Sequence, residues 1–200
     1  MPLSKREKTR GRFESDASFN DLYPASVQAL STLHWTPLET AERASDFLSG
    51  SNGETILDVG SGVGKFCLAG AHHTPGTVYY GVEQRKSLVS HANKAKEALG
   101  LKNVHFIHGN FTQLDFRKFD HFYFYNSFYE NLSGTEKIDD TIEYSNELYD
   151  YYKRYLYKEL SYKPRGTKLC TLCVWDHEIP SHYSLVEAKM IDQLKFWIKD

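Results

Sequence analysis

The sequence predicts an α/β fold: a mostly parallel sheet with helices on both faces and a C-terminal antiparallel hairpin. Three observations predict it. From about residue 55, short apolar β-rich runs alternate with helical stretches, the pattern of parallel strands joined by crossover helices. One of those strands opens through glycines directly into a helix, over Thr55 to Phe66. The tail, Tyr183 to Met190 and then Gln193 to Lys199, alternates like a hairpin turning near Ile191 and Asp192. Two hundred residues is the size of one ordinary domain. It divides into a helical extension over 1–50, whose first ~15 residues are expected to be flexible, and the α/β domain over 51–200.

In order along the chain, His34-Trp35-Thr36-Pro37-Leu38-Glu39 reads as a helix start. Thr36 is the N-cap, Pro37 the first helical position and Glu39 the capping-box partner, so the helix is expected to run to about Leu48. The strands follow as Thr55–Val59, Thr77–Glu83, Val104–His108, Phe119–Asn126 and Thr167–Val174. Helices are expected from near Lys65, from near Arg85 to a Gly100 C-cap, and over Ser145–Ser161.

Charge and cysteine content exclude several classes. Lysine and arginine number 24 against 26 acids, a net charge of −2, so bulk electrostatics does not hold this protein on nucleic acid or membrane. Five cations (Lys5, Arg6, Lys8, Arg10, Arg12) stand against Glu7 in the first twelve residues. They read as a solvated end or as an arm for an anionic ligand. No apolar run is long enough and free enough of Pro and His to suggest a secretory signal or membrane span, so a cytoplasmic protein is expected. Three cysteines suit reduced thiols. Cys170 and Cys173 form a CxxC within a strand, where positions three apart face opposite ways; no metal is expected there or at His177, Glu178 and His182.

The informative run is Asp58-Val59-Gly60-Ser61-Gly62-Val63-Gly64-Lys65. Glycines at a strand-to-helix turn let backbone approach a ligand closely. A phosphate-binding Walker loop would require Gly at 59 and Ser or Thr at 66, where Val59 and Phe66 stand. A dinucleotide fingerprint begun at Gly60 would require Gly at 65, where Lys65 stands. The run matches D-x-G-x-G-x-G and resembles the first motif of the class I, Rossmann-like methyltransferases that use S-adenosyl-L-methionine. The later motifs come at that family's spacing. Glu83 ends the second strand, and His108-Gly109-Asn110-Phe111 follows the third.

The resemblance implies the site residues. Asp58, Gly60, Gly62 and Gly64 would embrace the amino-acid end of the cofactor, with Gly62 and Gly64 keeping side chains out of its path. Glu83 would accept the ribose hydroxyls, Asn110 would meet the adenine amino group, and Phe111 would pack on the ring. Trp35-Thr36-Pro37 resembles an aromatic-Thr-Pro element that caps the methionine end. Asn126-Ser127-Phe128-Tyr129 resembles a degenerate Asn-Pro-Pro-Tyr segment, in which Asn126 would border the cofactor and accept a hydrogen bond from the target N–H, and Tyr129 would stack on the acceptor. The implied chemistry is methyl transfer to a nitrogen, less readily an oxygen, of an acceptor that is metabolite, protein or nucleic acid. Residues 127–145, the rim loops and the N-terminal segment would engage it.

His34 and His108 stand near this pocket as candidate general bases. His121 reads as a hydrogen-bonded packing residue. Two alternatives remain at this point: a nicotinamide-dependent oxidoreductase, and a methyltransferase-like binding module without activity. The chain is also rich in aromatics, 12 Phe, 14 Tyr and 3 Trp, concentrated in Phe119–Tyr129 and Tyr144–Tyr162. Tyr149, Tyr152 and Leu156 lie at helical spacing and are expected to cover the sheet, whereas Phe128 and Tyr129 are expected at the acceptor rim.

Overall fold

Alternation along the first strand sets the layers. In β1 (Thr55–Val59), Ile56 points into one hydrophobic core and Leu57 and Val59 into the other, because successive side chains of a strand leave opposite faces. The computed structural model describes residues 11–191 and 193–200. Of the basic N-terminal cluster, Lys5, Arg6, Lys8 and Arg10 lie outside the described residues, as does Asp192 in the expected hairpin turn. Arg12 serves a local contact, donating to the Ser18 carbonyl at 3.1 Å.

The remaining strands are β2 (Val78–Glu83), β3 (Val104–His108), β4 (His121–Tyr125), β5 (Lys168–Leu172), β6 (Tyr183–Lys189) and β7 (Leu194–Lys199). Their order is β3-β2-β1-β4-β5-β7-β6. β1 to β5 pair in parallel, and β7 enters antiparallel between β5 and β6. This is the expected α/β architecture with a C-terminal antiparallel hairpin. The order reverses at β1, so the crevice lies where β1 and β4 part, beyond their carboxyl ends.

Three short helices, α1 (Asp16–Asn20), α2 (Ala25–Gln28) and α3 (Ser31–His34), precede α4 (Leu38–Leu48). α4, α5 (Lys65–His73) and α6 (Lys86–Leu99) cover one sheet face through Ala41, Leu48, Phe66, Leu88 and Leu99. The opposite face is covered by α7 (Asn146–Ser161), whose Tyr152, Leu156 and Leu160 are buried, with Tyr149 half-buried beside them. Phe122 and Phe124 of β4 point into the same layer. Gly100 ends α6 in the left-handed conformation, as expected of a C-cap. Among the described residues, no helix is long and apolar enough to cross a membrane.

The start of α4 departs from expectation. Pro37, not Thr36, occupies the N-cap, and neither makes a side-chain cap bond. The Thr36 hydroxyl is 2.9 Å from the Tyr123 hydroxyl inside the core. Asp16 caps instead, its Oδ1 accepting from the Leu38 N–H at 3.0 Å. Glu39 pairs with Arg43 one turn on. A carboxylate brought from twenty-two residues upstream replaces the local cap, which no local reading can find.

Candidate active site

Beyond Val59 the chain must turn sharply to enter α5. The Gly60 and Ser61 N–H groups both donate to the Val82 carbonyl at 2.9 Å, and the turn closes with Gly64 N–H on the Ser61 carbonyl at 2.8 Å. Gly60 and Gly64 hold φ of 79° and 82°, the left-handed region. A Cβ at Gly64 would lie 2.4 Å from the Phe106 ring, and one at Gly60 would lie 2.4 Å from Ser127 Cβ. A Cβ at Gly62 would meet nothing within 4 Å. Gly62 therefore borders open pocket. The constraint on Gly64 is helix-to-sheet packing, and it lies away from the cavity.

That cavity has a volume of about 490 Å³ and lies at the carboxyl ends of β1, β2 and β4. It is walled by the glycine turn, by His34 at the end of α3 with Trp35 and Thr36 beyond it, by Glu83 and Arg85, and by Asn126, Phe128 and Tyr129 after β4. Asp58 and Phe111 also line it, so most of the residues singled out in the sequence converge.

Asp58 is 4% exposed, and its described polar contact is the Cys67 thiol, which donates across 3.6 Å to Oδ2. Burial pushes its carboxyl up to about 8; the Cys67 hydrogen bond opposes this and the nearby Glu83 charge adds to it. Among the described residues, no cation pairs with it. Glu83 is also buried, and burial raises its carboxyl above the ordinary range. Its Oε2 accepts the Gly62 N–H at 3.2 Å and its Oε1 accepts the Arg85 N–H at 2.8 Å. Oε1 also takes a long contact of 3.4 Å from Arg85 NH1, and Oε2 retains a lone pair for a further donor.

Asn126 holds φ of 35°, and Cys173, just beyond β5, holds 56°. Both line the cavity, and such strained positions concentrate at functional sites. Phe128 is 5% exposed and stacks on Phe111 with ring centroids 5.0 Å apart, whereas Tyr129 is 52% exposed at the mouth. The aromatic pair thus divides into a wall and a rim.

Some expected contributors are occupied elsewhere. The Asn110 amide donates to Gln84 Oε1 at 3.1 Å and to the Tyr152 hydroxyl at 2.8 Å, while its carbonyl accepts from Thr112 N–H and hydroxyl. It caps a turn beneath Phe111 and does not line the cavity. His108 Nε2 donates to the Gln84 carbonyl, 3.1 Å away, and also lies outside the cavity wall. His34 does line it, and burial lowers its titration below the usual histidine range. His121 is buried, its Nδ1 accepting the Lys168 N–H at 3.1 Å and its Nε2 3.4 Å from Glu54, a packing role. Lys65 is 4% exposed, ion-paired to Asp16 at 2.5 Å and bonded to Asn20 at 3.1 Å, which ties α1 to the first residue of α5.

Sequence reasoning missed Arg85. It is 5% exposed and reaches Glu83, Glu130, Asp139 and the Tyr144 hydroxyl. The only local signal is an arginine two residues after an acid; its other partners lie 45 to 59 positions away.

A family model described as a methyltransferase domain matches residues 50–160, more than half of the chain. The tRNA (guanine-N(7)-)-methyltransferase of Synechococcus sp. (strain JA-3-3Ab) is 48% identical over 54 residues, which are 27% of this chain and 23% of that protein. The match thus spans about a quarter of that curated relative. The magnesium protoporphyrin IX methyltransferase of Synechocystis PCC 6803, solved with S-adenosylmethionine bound, aligns over 100% of this chain and 99% of that one, with a TM-score of 0.56 at 17% identity. An RNA methyltransferase of Salinibacter ruber, solved with S-adenosyl-L-homocysteine, aligns over 82% and 92% with a TM-score of 0.53 at 18% identity. These two likenesses establish the Rossmann-like methyltransferase fold.

Proposed function

The chain belongs to the methyltransferase-domain family, and from that premise we propose that it transfers a methyl group from S-adenosyl-L-methionine to a nitrogen of its acceptor. The observation that carries the reading is Asp58. A carboxyl buried at a strand end, facing a cavity beside an open glycine and paired with no cation among the described residues, suits a ligand that brings an ammonium group. Glu83 suits a diol, one hydroxyl donating to the free lone pair of Oε2 and the other to Oε1 in competition with the long Arg85 NH1 contact. Gly60 and Gly62 present backbone at close range, and Phe111 offers a face for the adenine. Thr36 shapes the methionine end through Trp35 and Tyr123. The reading takes residues 51–200 as the domain and 1–50 as its extension, of which His34, Trp35 and Thr36 wall the pocket. The reading takes the protein to be cytoplasmic.

When bound, the cofactor supplies an electrophilic methyl carbon on a sulfonium. With it in place, the acceptor nitrogen's lone pair would form the new C–N bond as the C–S electrons pass to sulfur, and an N–H acceptor would pass its proton to solvent. The protein's part is alignment and exclusion of water. Asn126, held at positive φ after β4, would accept the acceptor's N–H and aim its lone pair at the methyl carbon; Tyr129 would stack on a planar acceptor from the exposed rim. The similarity to tRNA guanine-N7 enzymes supports nitrogen chemistry.

Calorimetric titration with S-adenosyl-L-homocysteine tests the reading. Micromolar binding is expected, with methyl label passing from the cofactor to a component of cell extract. No binding of either cofactor form would refute it.

A further inference from the structure

Arg85 stands at the N-terminal end of α6, two residues beyond Glu83, and its guanidinium has three carboxylates around it. NH1 is 3.4 Å from Glu83 Oε1, NH2 is 2.5 Å from Glu130 Oε2, and Nε is 3.2 Å from Asp139 Oδ1. NH2 also donates to the Tyr144 hydroxyl at 2.6 Å. Glu130, Asp139 and Tyr144 all belong to the segment 130–144 between β4 and α7.

That segment is braced internally. Glu130 Oε2 accepts the Ile138 N–H at 3.1 Å, and the Tyr144 hydroxyl donates to the Asp139 carbonyl at 2.6 Å. Lys137 bonds the carbonyls of Glu130 and Leu132 and lies 5.1 Å from the Tyr144 ring centroid. Thr135, Glu136, Ile138 and Ile142 face the cavity. The segment is a pre-formed flap, joined to the sheet by the same arginine that touches the diol-binding acid.

We propose that Arg85 is a positioning residue that couples occupation of the Glu83 site to closure of the 130–144 flap, so that the cofactor is captured first and the acceptor chamber is completed over it. This rests on the methyltransferase reading above. The physical reason is competition for one guanidinium. Two hydroxyl donors on Glu83 satisfy part of its charge and weaken an already long 3.4 Å contact. The guanidinium is then held more fully by Glu130 and Asp139, and water displaced from the cavity strengthens those pairs by lowering the local dielectric. Coupling of this kind is reciprocal: a flap that closes on bound cofactor must also tighten cofactor binding.

Hydrogen exchange over residues 130–144 and calorimetry with S-adenosyl-L-homocysteine test it. In the unaltered protein the ligand is expected to slow flap exchange about tenfold or more. Glu130→Gln, which lies on the flap side, is expected to weaken ligand affinity about five- to tenfold and to remove much of that protection. In a Glu83→Gln background, adding Glu130→Gln is expected to have no further effect on affinity, because the path from diol to flap is already cut. Asp139→Asn repeats the test at the second flap acid should Glu130→Gln fail to fold. Independent, multiplying effects of Glu83→Gln and Glu130→Gln would overturn the coupling, as would flap exchange unchanged by bound ligand. Failure of the unaltered protein to bind the ligand at all would overturn the functional reading and this coupling with it; binding with an indifferent flap overturns the coupling alone.

Discussion

Replacing Asp58 by Asn is expected to stabilise the ligand-free protein and to weaken its cofactor binding, two effects of opposite sign from one atom change. The carboxyl is pushed from 3.8 to about 8, chiefly by burial. A folded-state acid titrating above its unfolded value binds its proton more tightly when folded, so its ionisation removes stability as pH rises from about 4 to about 8. The slope is about 1.4 kcal/mol per pH unit, so full ionisation costs about 5–6 kcal/mol. The Asp58→Asn side chain keeps the shape and carries no such cost. Urea unfolding of both proteins at several pH values reads the effect, because groups that do not interact with Asp58 cancel in the difference. Between about pH 5 and about pH 7 the advantage of the variant is expected to grow by about 3 kcal/mol, levelling off above about pH 8. Binding shows the converse. An ammonium group needs the carboxylate, which at neutral pH is only roughly a tenth ionised, so cofactor binding is expected to release close to one proton and to strengthen about tenfold per unit up to about pH 8. Calorimetry in buffers of different ionisation heats counts that proton. A stability difference that does not change with pH would refute the protonated Asp58, and wild-type affinity unchanged from about pH 6 to about pH 8 would refute the ammonium placement.

The glycines are expected to separate into two kinds. Gly64→Ala puts a Cβ 2.4 Å from the Phe106 ring at φ of 82° and is expected to cost about 2–4 kcal/mol of stability. Gly62→Ala meets no atom and is expected to cost about 1 kcal/mol in thermal unfolding while weakening cofactor binding; equal losses of stability would contradict the assignment. Asn126→Ala is expected to leave cofactor affinity within about twofold and to lower turnover by about a hundredfold, as for loss of one oriented polar contact. A fall of less than about tenfold would remove Asn126 from the reaction. Tyr129→Ala, at a side chain 52% exposed, is expected to unfold at the wild-type temperature and to raise the acceptor KM; an unchanged KM would assign the ring to the surface alone.

The strand-to-helix turn illustrates what was legible in the residues themselves. The left-handed conformations at Gly60 and Gly64 are local demands of a sharp turn, and only glycine adopts them without strain, so they show in a linear motif. Layering was legible for a similar reason. Alternation assigns Ile56 and Leu57 to opposite faces, and helical spacing assigns Tyr152 and Leu156 to one. Asp58 and Glu83 end strands that hydrogen-bond side by side, so their convergence follows from parallel pairing alone.

The tertiary structure decided how each polar side chain is used. Thr36 carries every mark of a helix cap, yet its hydroxyl goes to Tyr123, 87 residues away, and Asp16 caps in its place. Asn110 sits at the position suited to an adenine contact, yet Gln84, Thr112 and Tyr152 take both ends of its amide. Arg85 gathers Glu130, Asp139 and Tyr144 across a loop with no periodicity to place it. The physical reason is common to all three. Backbone conformation and apolar layering answer to near neighbours and to period, both written along the chain. A buried hydrogen-bonding group must take whichever partner packing brings within about 3 Å, and only the folded chain determines which partner that is.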